Sequence, residues 1–310
     1  MKTFSLITRS SVYFLFFFVF VNCTDSSSTE KEKAEKQKKL ITIKGSDSEL
    51  NLLKFFADEY KANRPGLIVN VSGGGTSHGI KALINNETDI AIASRIITEE
   101  EITSAKAKGV NPLAFIIAQD IVAIITHPET GIDSLSLSQL SKIMKGTIIN
   151  WKELGGIDLP IKIYGRDKHS GTRYYLKDKL GVKKFPAHYE ELDGNAQIIE
   201  KIHSEKGSMG YVNVGSIVNV EGKPTSKVWA MNLYIENNKA CSPYENQRIK
   251  YGEYPLVRPL IQYTNGKPSN ELLEFINFEL LERQQSNLEK HGYLKINATY
   301  FNMNQNSLNN

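Results

Sequence analysis

From Leu40 onward, short β-branched runs alternate with amphipathic stretches along the chain. This alternation is typical of sheets covered by helices in an α/β fold. The first three runs lie at residues 41–43, 67–71 and 89–93, and each precedes a stretch with apolar residues at helical spacing. Thr98 with Glu101 adds the spacing of a capping box to the third helix. The first part of the chain therefore predicts three pairs of a strand and a helix.

The rest of the chain continues the alternation. The predicted elements are a strand at 121–125, a helix from Ser136 to about Gly146, a strand at 161–164, a helix at 171–180, a turn and strand at 207–214, a strand at 256–261 and a helix at 269–281. The buried stripe expected for the last helix consists of Leu272, Phe275, Ile276 and Leu280. This length of folded chain is enough for two lobes of ordinary size.

The first 23 residues have the layout of an export signal. Lys2 and Arg9 precede an apolar run at 12–21, which stops at Asn22 and Cys23. The apolar run is shorter than a membrane span, which needs about 20 apolar residues, so we predict that this signal is removed; a retained signal anchor is the alternative. The segment resembles a bacterial lipoprotein signal, which implies lipidation of Cys23, although Asn22 stands where that family usually has Gly, Ala or Ser.

Residues 24–39 combine three successive serines with alternating Lys and Glu, and they contain almost no apolar side chain. Such a segment cannot bury enough surface to offset the entropy of an ordered chain. We therefore expect a disordered tether; a short exposed charged helix is the alternative.

The charge and cysteine content exclude other classes. The formal net charge is +4, from 38 basic and 34 acidic residues, and removing Lys2 and Arg9 with the signal leaves +2. That is too small for a nucleic-acid footprint, so we expect no nucleic-acid partner. Only Cys23 and Cys241 are present, so lipidation of Cys23 leaves no partner for an intramolecular disulfide.

The sequence gives no support for an enzyme such as a phosphatase. The histidines show no metal-binding spacing, and there is no nucleophile elbow. Gly74 to Gly79 has phosphate-loop spacing, but Ile80 stands where that motif requires Lys. We expect no catalytic residues, no metal and no cofactor.

One arrangement recurs: a strand, a loop of glycine and hydroxyl residues, and the start of a helix. It occurs at residues 45–48, 72–77, after Ser94 and at 165–172. A helix start offers unpaired backbone amides and the positive end of the helix dipole, so it favours an anion. In open α/β sheets such loops lie at the ligand-binding edge. Each loop alone could equally be a turn or an N-cap, but together they predict one site for a small anion.

Arg166 followed by Ser170, Gly171 and Thr172 is the most specific of these loops. A guanidinium can donate parallel hydrogen bonds to two oxygens of a tetrahedral anion, and the hydroxyls and amides can reach others. The alternative is a solvated surface charge.

The motifs together resemble the phosphate-binding component of ABC phosphate importers, the PstS-type periplasmic binding proteins. They cover roughly residues 41–295. The matching segments are Gly45-Ser46-Asp47-Ser48, Ser72-Gly73-Gly74-Gly75-Thr76 with Gly79-Ile80, Asp89-Ile90-Ala91-Ile92-Ala93-Ser94-Arg95, Asn150-Trp151 with Gly155-Gly156, Tyr164-Gly165-Arg166 with Ser170-Gly171-Thr172, Gly210-Tyr211-Val212, and Tyr254-Pro255-Leu256 with Arg258-Pro259-Leu260.

The resemblance implies a two-lobed type II periplasmic-binding-protein fold of the α/β class, with crossing strands between the lobes and phosphate enclosed between them. It assigns residues 40–125 and 215–297 to lobe 1, residues 126–214 to lobe 2 and residues 298–310 to a C-terminal tail. The phosphate contacts that it implies are Ser46, Asp47, Ser48, Thr76, Ser94, Arg95, Arg166, Ser170, Gly171 and Thr172.

The resemblance also implies partners and a location. The protein is expected to capture inorganic phosphate and deliver it to the membrane permease of an ABC importer, as a monomer. It is expected in the cell envelope, in the periplasm or on the outer surface, held to the membrane by the lipid on Cys23.

Arg95 departs from the family, which often has an Asp at this position. Phosphate at neutral pH keeps a proton, and a dry site selective for phosphate over sulfate needs an acceptor for it. Arg95 cannot accept, so the role falls to Asp47 or to a backbone carbonyl, or the ligand is another oxyanion such as sulfate or molybdate. Asp47 could instead cap a turn, and Arg95 could pair with Glu99 or Glu100. A phosphate-sensing surface lipoprotein without transport is a further alternative.

Overall fold

The computed structural model describes residues 39–62, 64 and 66–309. The predicted signal 1–23 with its lipidated Cys23, and the tether 24–39 except for Lys39, lie outside the described residues. Lys39, expected in the tether, instead begins the first strand, two residues before the predicted run at 41–43. Within the described part of the chain, no helix has both the length and the apolarity that a membrane span requires.

The strands and helices follow the predicted alternation. The strands are β1 (Lys39–Gly45), β2 (Leu67–Ser72), β3 (Ile90–Ala93), β4 (Pro112–Thr126), β5 (Ser134–Ser136), β6 (Lys162–Arg166), β7 (Tyr189–Leu192), β8 (Ser208–Asn213), β9 (Trp229–Ala230), β10 (Asn232–Tyr234), β11 (Val257–Asn265) and β12 (Tyr293–Leu294). The α-helices are α1 (Leu50–Ala62), α2 (Thr76–Ile84), α3 (Glu99–Ala107), α4 (Leu137–Met144), α5 (Gly171–Lys179), α6 (Asn195–Ser204), α7 (Asn246–Lys250), α8 (Asn270–Glu279), α9 (Glu282–Asn287) and α10 (Ala298–Asn309). Short 3-10 helices lie at Pro128–Thr130, Trp151–Leu154, Val214–Ser216 and Leu288–His291.

The predicted start of α3 is confirmed in atomic detail. Thr98 accepts a hydrogen bond from the Glu101 amide, and the Glu101 carboxylate accepts one from the Thr98 amide. Ser136 and Gln139 form the same reciprocal cap at the start of α4. Each cap satisfies two amides that have no partner within the helix.

One long strand, β4, joins two halves of the sheet. The strand order is β2-β1-β3-β11-β4-β8-β6-β7. Strand β1 is parallel to β2 and β3, and β6 is parallel to β7 and β8. Residues 112–121 of β4 pair with antiparallel β11, whereas residues 122–126 pair with antiparallel β8. The fold is therefore a mixed α/β structure with two lobes that meet at β4.

Each lobe has its own hydrophobic core. The core of lobe 1 includes Phe56, Ile92, Phe115 and Phe275, and the core of lobe 2 includes Trp151, Ile163, Ile198 and Tyr211.

The lobe boundary drawn from the sequence needs a correction. Residues 215–256 are expected in lobe 1, but Val228, Met231, Leu233 and Tyr254 pack in the second core. The physical reason is strand pairing, since β9 pairs with the end of β4 and β10 pairs with β5. The chain returns to lobe 1 only with β11.

The predicted C-terminal tail, 298–310, also needs a correction, because Ala298–Asn309 form helix α10. Asn304 holds this helix to β4: its Oδ1 accepts from the Ile116 amide at 2.7 Å, and its Nδ2 donates to the Ile116 carbonyl at 2.8 Å. Ser307 Oγ donates to the Ala114 carbonyl at 2.9 Å. Tyr300 and Leu308 on the same face also pack against the cores, but the polar Asn304 lies between them, so the helix lacks the continuous apolar stripe from which helices are predicted.

Candidate functional site

Three loops of lobe 1 converge with one loop of lobe 2. The lobe 1 loops follow β1, β2 and β3, and the lobe 2 loop follows β6. The loops after β1, β2 and β6 lead directly into α1, α2 and α5. Polar residues at the ends of four strands therefore lie close together at one place.

Three hydroxyl groups of lobe 1 form a buried cluster. Ser46 Oγ donates to Ser94 Oγ at 2.9 Å, and the Ser94 amide donates to Thr76 Oγ1 at 3.1 Å. Thr76 Oγ1 and Ser94 Oγ are 3.5 Å apart, and all three residues are at most 2% exposed. A hydroxyl both donates and accepts, so each proton of this cluster can rotate toward an anion.

The start of α5 lies against the hydroxyl cluster. Ser170 Oγ caps this helix by accepting from the Arg173 amide at 3.3 Å, and Gly171 is the first helical residue. A Cβ on Gly171 would lie 2.5 Å from Ser94 Oγ and closer still to Thr76 Oγ1, so the approach requires glycine. The amides of the first helical turn, at the positive end of the helix dipole, are thereby brought to the hydroxyls.

Asp47 of lobe 1 and Arg166 of lobe 2 form an ion pair between the lobes. Arg166 Nη2 lies 2.8 Å from Asp47 Oδ2, and the two side chains are 5% and 19% exposed. Asp47 Oδ1 accepts from the Gly74 amide at 3.2 Å. Arg166 Nε is buried and has no hydrogen-bond partner among the described residues. The guanidinium therefore keeps a donor for another acceptor.

A second buried arginine, Arg258 of β11, also belongs to this group. Its Nη2 donates to Ser48 Oγ and to Thr172 Oγ1, both at 2.9 Å. Its Nε and Nη2 donate to Asp120 Oδ2 at 2.9 and 2.7 Å. Burial raises the pKa of the Asp120 carboxyl, and attraction to the guanidinium opposes that rise. Arg258 thus fixes one hydroxyl from each lobe.

The predicted site residues do not include Arg258, although the sequence carries a signal for it. An arginine inside the apolar strand at 256–261 must find a buried partner, because a lone buried charge is costly. The partner Asp120 lies 138 residues away in the chain, directly opposite Arg258 in the β4–β11 ladder. Only the strand pairing identifies it.

The two lobes touch directly on one side of the site. The Ser77 amide donates to the His169 carbonyl at 3.2 Å. The imidazole rings of His78 and His169 stack with their centroids 4.2 Å apart. Gly75 precedes α2 with φ +99°, and a Cβ there would lie 2.7 Å from His169 O. Glycine is needed here both for the backbone angle and for the close contact between the lobes.

Arg95 is bound to partners other than the hydroxyl cluster. Its guanidinium donates to both carboxylate oxygens of Glu101, at 2.8 and 2.7 Å, and to Ser77 Oγ at 2.9 Å. It also lies over the Tyr174 ring, 5.1 Å from the centroid. The ion pair expected with Glu99 or Glu100 is therefore made with Glu101. We leave Arg95 out of the group that converges on the hydroxyls.

The converging group offers hydrogen-bond donors with little net charge. Asp47 balances Arg166, and Asp120 balances Arg258. The remaining polar groups are hydroxyls and helix-start amides, which suit a small oxyanion. Within the described part of the chain, no group of three or more His, Cys, Asp or Glu side chains could hold a metal ion.

Comparisons with known proteins show the family to which this chain belongs. A family described as a PBP superfamily domain matches residues 26–283. The phosphate-binding protein PstS of Borreliella burgdorferi is 31% identical over 271 residues, which is 84% of this chain and 92% of that protein. This chain belongs to the PstS family. The family resemblance drawn from the sequence motifs is confirmed.

Solved structures show the fold of the PstS family. A phosphate ABC transporter substrate-binding protein of Clostridium perfringens, with bound phosphate, aligns with a TM-score of 0.72 at 28% identity, covering 83% of this chain and 100% of that one. An ABC-type phosphate transport receptor of Vibrio cholerae aligns with a TM-score of 0.63 at 27% identity, with the same coverage. The predicted two-lobed fold is therefore confirmed.

Proposed function

We propose that this protein is an extracytoplasmic solute-binding protein that captures inorganic phosphate between its lobes and delivers it to an ABC-type importer. The observation that carries the proposal is the meeting, at one buried place, of Arg166, the hydroxyl cluster and the start of α5. The names of the PstS relatives and the phosphate in the Clostridium perfringens structure support the same function.

The groups that we propose as phosphate contacts come from both lobes. Lobe 1 supplies Ser46, Asp47, Ser48, Thr76 and Ser94, and lobe 2 supplies Arg166, Ser170, Gly171 and Thr172. Hydroxyls and amides are neutral donors, and their hydrogen bonds to an anion are weaker than those of charged groups. A site built largely from them can therefore also release its ligand. Binding that uses both lobes favours the form in which they are in contact.

Asp47 is the acceptor that we propose for the phosphate proton. Its carboxylate lies at the site, paired with Arg166, whereas the guanidinium of Arg95 is taken up by Glu101. A carboxylate accepts the hydrogen bond of a P–OH group but repels a fully ionised sulfate. This would give preference for phosphate over sulfate or molybdate.

The remaining parts of the proposal concern partners and location. We place the protein in the cell envelope as a monomer, anchored through a lipid on Cys23 and docking on a membrane permease, and we expect it to be a receptor without catalytic activity. Membership of a solute-binding family supports the receptor role.

The decisive experiment is calorimetric titration of ligand-free protein with phosphate. Arg166→Ala should weaken binding by about 2–5 kcal/mol, the cost of removing one partner of a buried charged interaction. Arg283→Ala, at an exposed position of α9, is the matched control and should leave affinity unchanged. Unchanged affinity in Arg166→Ala would refute the proposed site, and turnover of a chromogenic phosphate ester would refute the receptor role.

A further inference from the structure

Two tyrosine side chains of lobe 2 hold the backbone of Arg166. Arg166 is the last residue of β6, and the pairing of β6 with β8 ends earlier, at Tyr164 and Gly210. The Arg166 amide donates instead to Tyr211 Oη, at 3.1 Å. The Arg166 carbonyl accepts from Tyr189 Oη at 2.7 Å. Both polar groups of this backbone position are therefore bound by phenol side chains.

The two phenols are also bound to each other. Tyr189 Oη and Tyr211 Oη are 2.6 Å apart. Because Tyr189 donates its single proton to the Arg166 carbonyl, Tyr211 is the donor between the two hydroxyls. The three hydrogen bonds thus form a closed circuit that starts at the Arg166 amide and ends at the Arg166 carbonyl, and each bond strengthens the next. Burial raises the pKa of both phenols, which keeps the two protons in place at neutral pH.

Two neighbours secure the Tyr189 end of this circuit. A Cβ on Gly165 would overlap the Tyr189 hydroxyl and lie 2.6 Å from Tyr189 Cζ, so the approach of this phenol requires glycine. Arg173 Nη1 donates to the same Arg166 carbonyl at 3.1 Å, and the Arg173 guanidinium lies over the Tyr189 ring, 5.3 Å from the centroid. Arg173 is itself paired with Glu191. The Arg166 carbonyl is therefore held by two side chains.

The tyrosines act from the core of lobe 2. Tyr211 is 0% exposed and lies in that core, and Tyr189 packs against it. Among the described residues, the hydrogen bonds of both hydroxyls are confined to Arg166 and to each other. The Arg166 side chain instead reaches the interface between the lobes, where Nη2 binds Asp47. An arginine side chain has several rotatable bonds, so a fixed backbone reduces the conformational freedom that the guanidinium loses on binding.

We propose that Tyr189 and Tyr211 are positioning residues of the anion site, which fix the Arg166 backbone so that the guanidinium faces phosphate before phosphate binds. This inference rests on the proposed function, because both phenols act through Arg166. Neither phenol binds the anion itself. The affinity for phosphate thus depends on two hydroxyl groups of lobe 2 that lie outside the cleft.

Calorimetric titration with inorganic phosphate tests the inference in a double-mutant cycle. Tyr211→Phe should weaken phosphate binding about tenfold, because it leaves the buried Arg166 amide without an acceptor. The same substitution should have no effect in Arg166→Ala, because the guanidinium that it positions is gone. Tyr60→Phe, at a buried phenol in the core of lobe 1, is the matched control and should leave affinity unchanged. If Tyr211→Phe does not fold, Tyr189→Phe at its half-buried position carries the same test.

Nitrogen relaxation measured by NMR on the ligand-free protein gives a readout that does not depend on phosphate. The order parameter of Arg166 Nε should fall in Tyr211→Phe, because the backbone that carries the side chain is released. In Tyr60→Phe it should keep its native value.

The outcomes separate this inference from the proposed function. Equal weakening by Tyr211→Phe in the native and Arg166→Ala backgrounds, or an unchanged order parameter of Arg166 Nε, overturns the positioning role. Unchanged phosphate affinity in Tyr211→Phe overturns it as well and leaves the phosphate receptor intact. Failure of the native protein to bind phosphate overturns the proposed function itself.

Discussion

Arg166 Nη2 lies 2.8 Å from Asp47 Oδ2, and this pair connects the loop after β6 to the loop after β1. The two residues belong to different lobes and are 119 positions apart in the chain. The pair puts an acceptor and a donor side by side at the proposed phosphate site. A tetrahedral anion that carries a proton can use both.

We expect Asp47→Asn to reduce the preference for phosphate over sulfate. The amide is neutral and no longer repels sulfate, and it accepts a P–OH hydrogen bond less well than a carboxylate. The change in the ratio of the two affinities should be about 1–3 kcal/mol, the cost of a poorly paired buried polar group. Competition calorimetry at several pH values measures it, with the exposed Asp58→Asn as control. An unchanged ratio would remove Asp47 from the proton-accepting role.

Gly171→Ala should obstruct the approach of α5 to the hydroxyl cluster. The added methyl would lie 2.5 Å from Ser94 Oγ, so the lobes have to separate or the backbone has to shift. Overpacking of this kind costs about 1–3 kcal/mol. We expect the free energy of phosphate binding to weaken by about this amount. Gly194→Ala is the control, because a Cβ there meets no atom of the described residues within 4 Å. If calorimetry gives equal affinity for both variants, the contact between the lobes at Gly171 is not needed for binding.

Asp120→Ala should destabilise the fold strongly, because it leaves the Arg258 charge buried without its partner. The two side chains are 0% and 2% exposed, and breaking such a pair costs about 3–5 kcal/mol. Urea unfolding measures the loss, with Asp158→Ala at an exposed ion pair as a control that should change little. The double variant Asp120→Leu with Arg258→Met should recover much of the stability but not phosphate affinity. Recovery of affinity as well would contradict the positioning role of Arg258.

Glu49→Gln should stabilise the protein increasingly as pH rises. Complete burial raises the pKa of Glu49 well above its usual range, and the carboxylates of Glu279 and Asp120 add to the rise. The folded protein keeps this proton, whereas the unfolded chain releases it above about pH 4.5. The stability contributed by Glu49 is thus complete below that pH and is lost as pH rises toward the folded pKa.

The test is urea unfolding of native protein and Glu49→Gln between pH 4 and pH 8. The difference in unfolding free energy should grow by at most about 1.4 kcal/mol for each pH unit above the unfolded pKa. The exposed Glu236→Gln should show a constant difference. A constant difference for Glu49→Gln would contradict a protonated buried carboxyl.

The sequence predicts the parts of the site that are local in the chain. Thr76, Ser94 and Arg166 each follow a recognisable strand, and a strand followed by a loop and a helix start is a short-range pattern. Strands β1 and β3 are parallel neighbours, so the loops that follow them lie at the same edge of the sheet. The loop after β6 faces these loops from the other lobe. The convergence could therefore be anticipated from motifs.

Other features depend on contacts between distant positions. Arg258 joins the site through Asp120 and through two hydroxyls, and none of these neighbours is near it in sequence. The position of residues 228–256 in lobe 2 is set by the pairing of β9 with β4. Strand β9 has only two residues, so its sequence is too short to predict a strand or its partner. Hydrophobic periodicity identifies elements, but it does not say which sheet a strand joins.

Strand β4 has a consequence for how the chain acquires its shape. Its first ten residues pair with β11 in one lobe, across one β-bulge, and its last five pair with β8 in the other. Cutting the gene into two half-proteins at this strand would expose an unpaired edge on each piece, and such edges promote aggregation. The two lobes are therefore expected to be inherited, and to fold, as one indivisible unit.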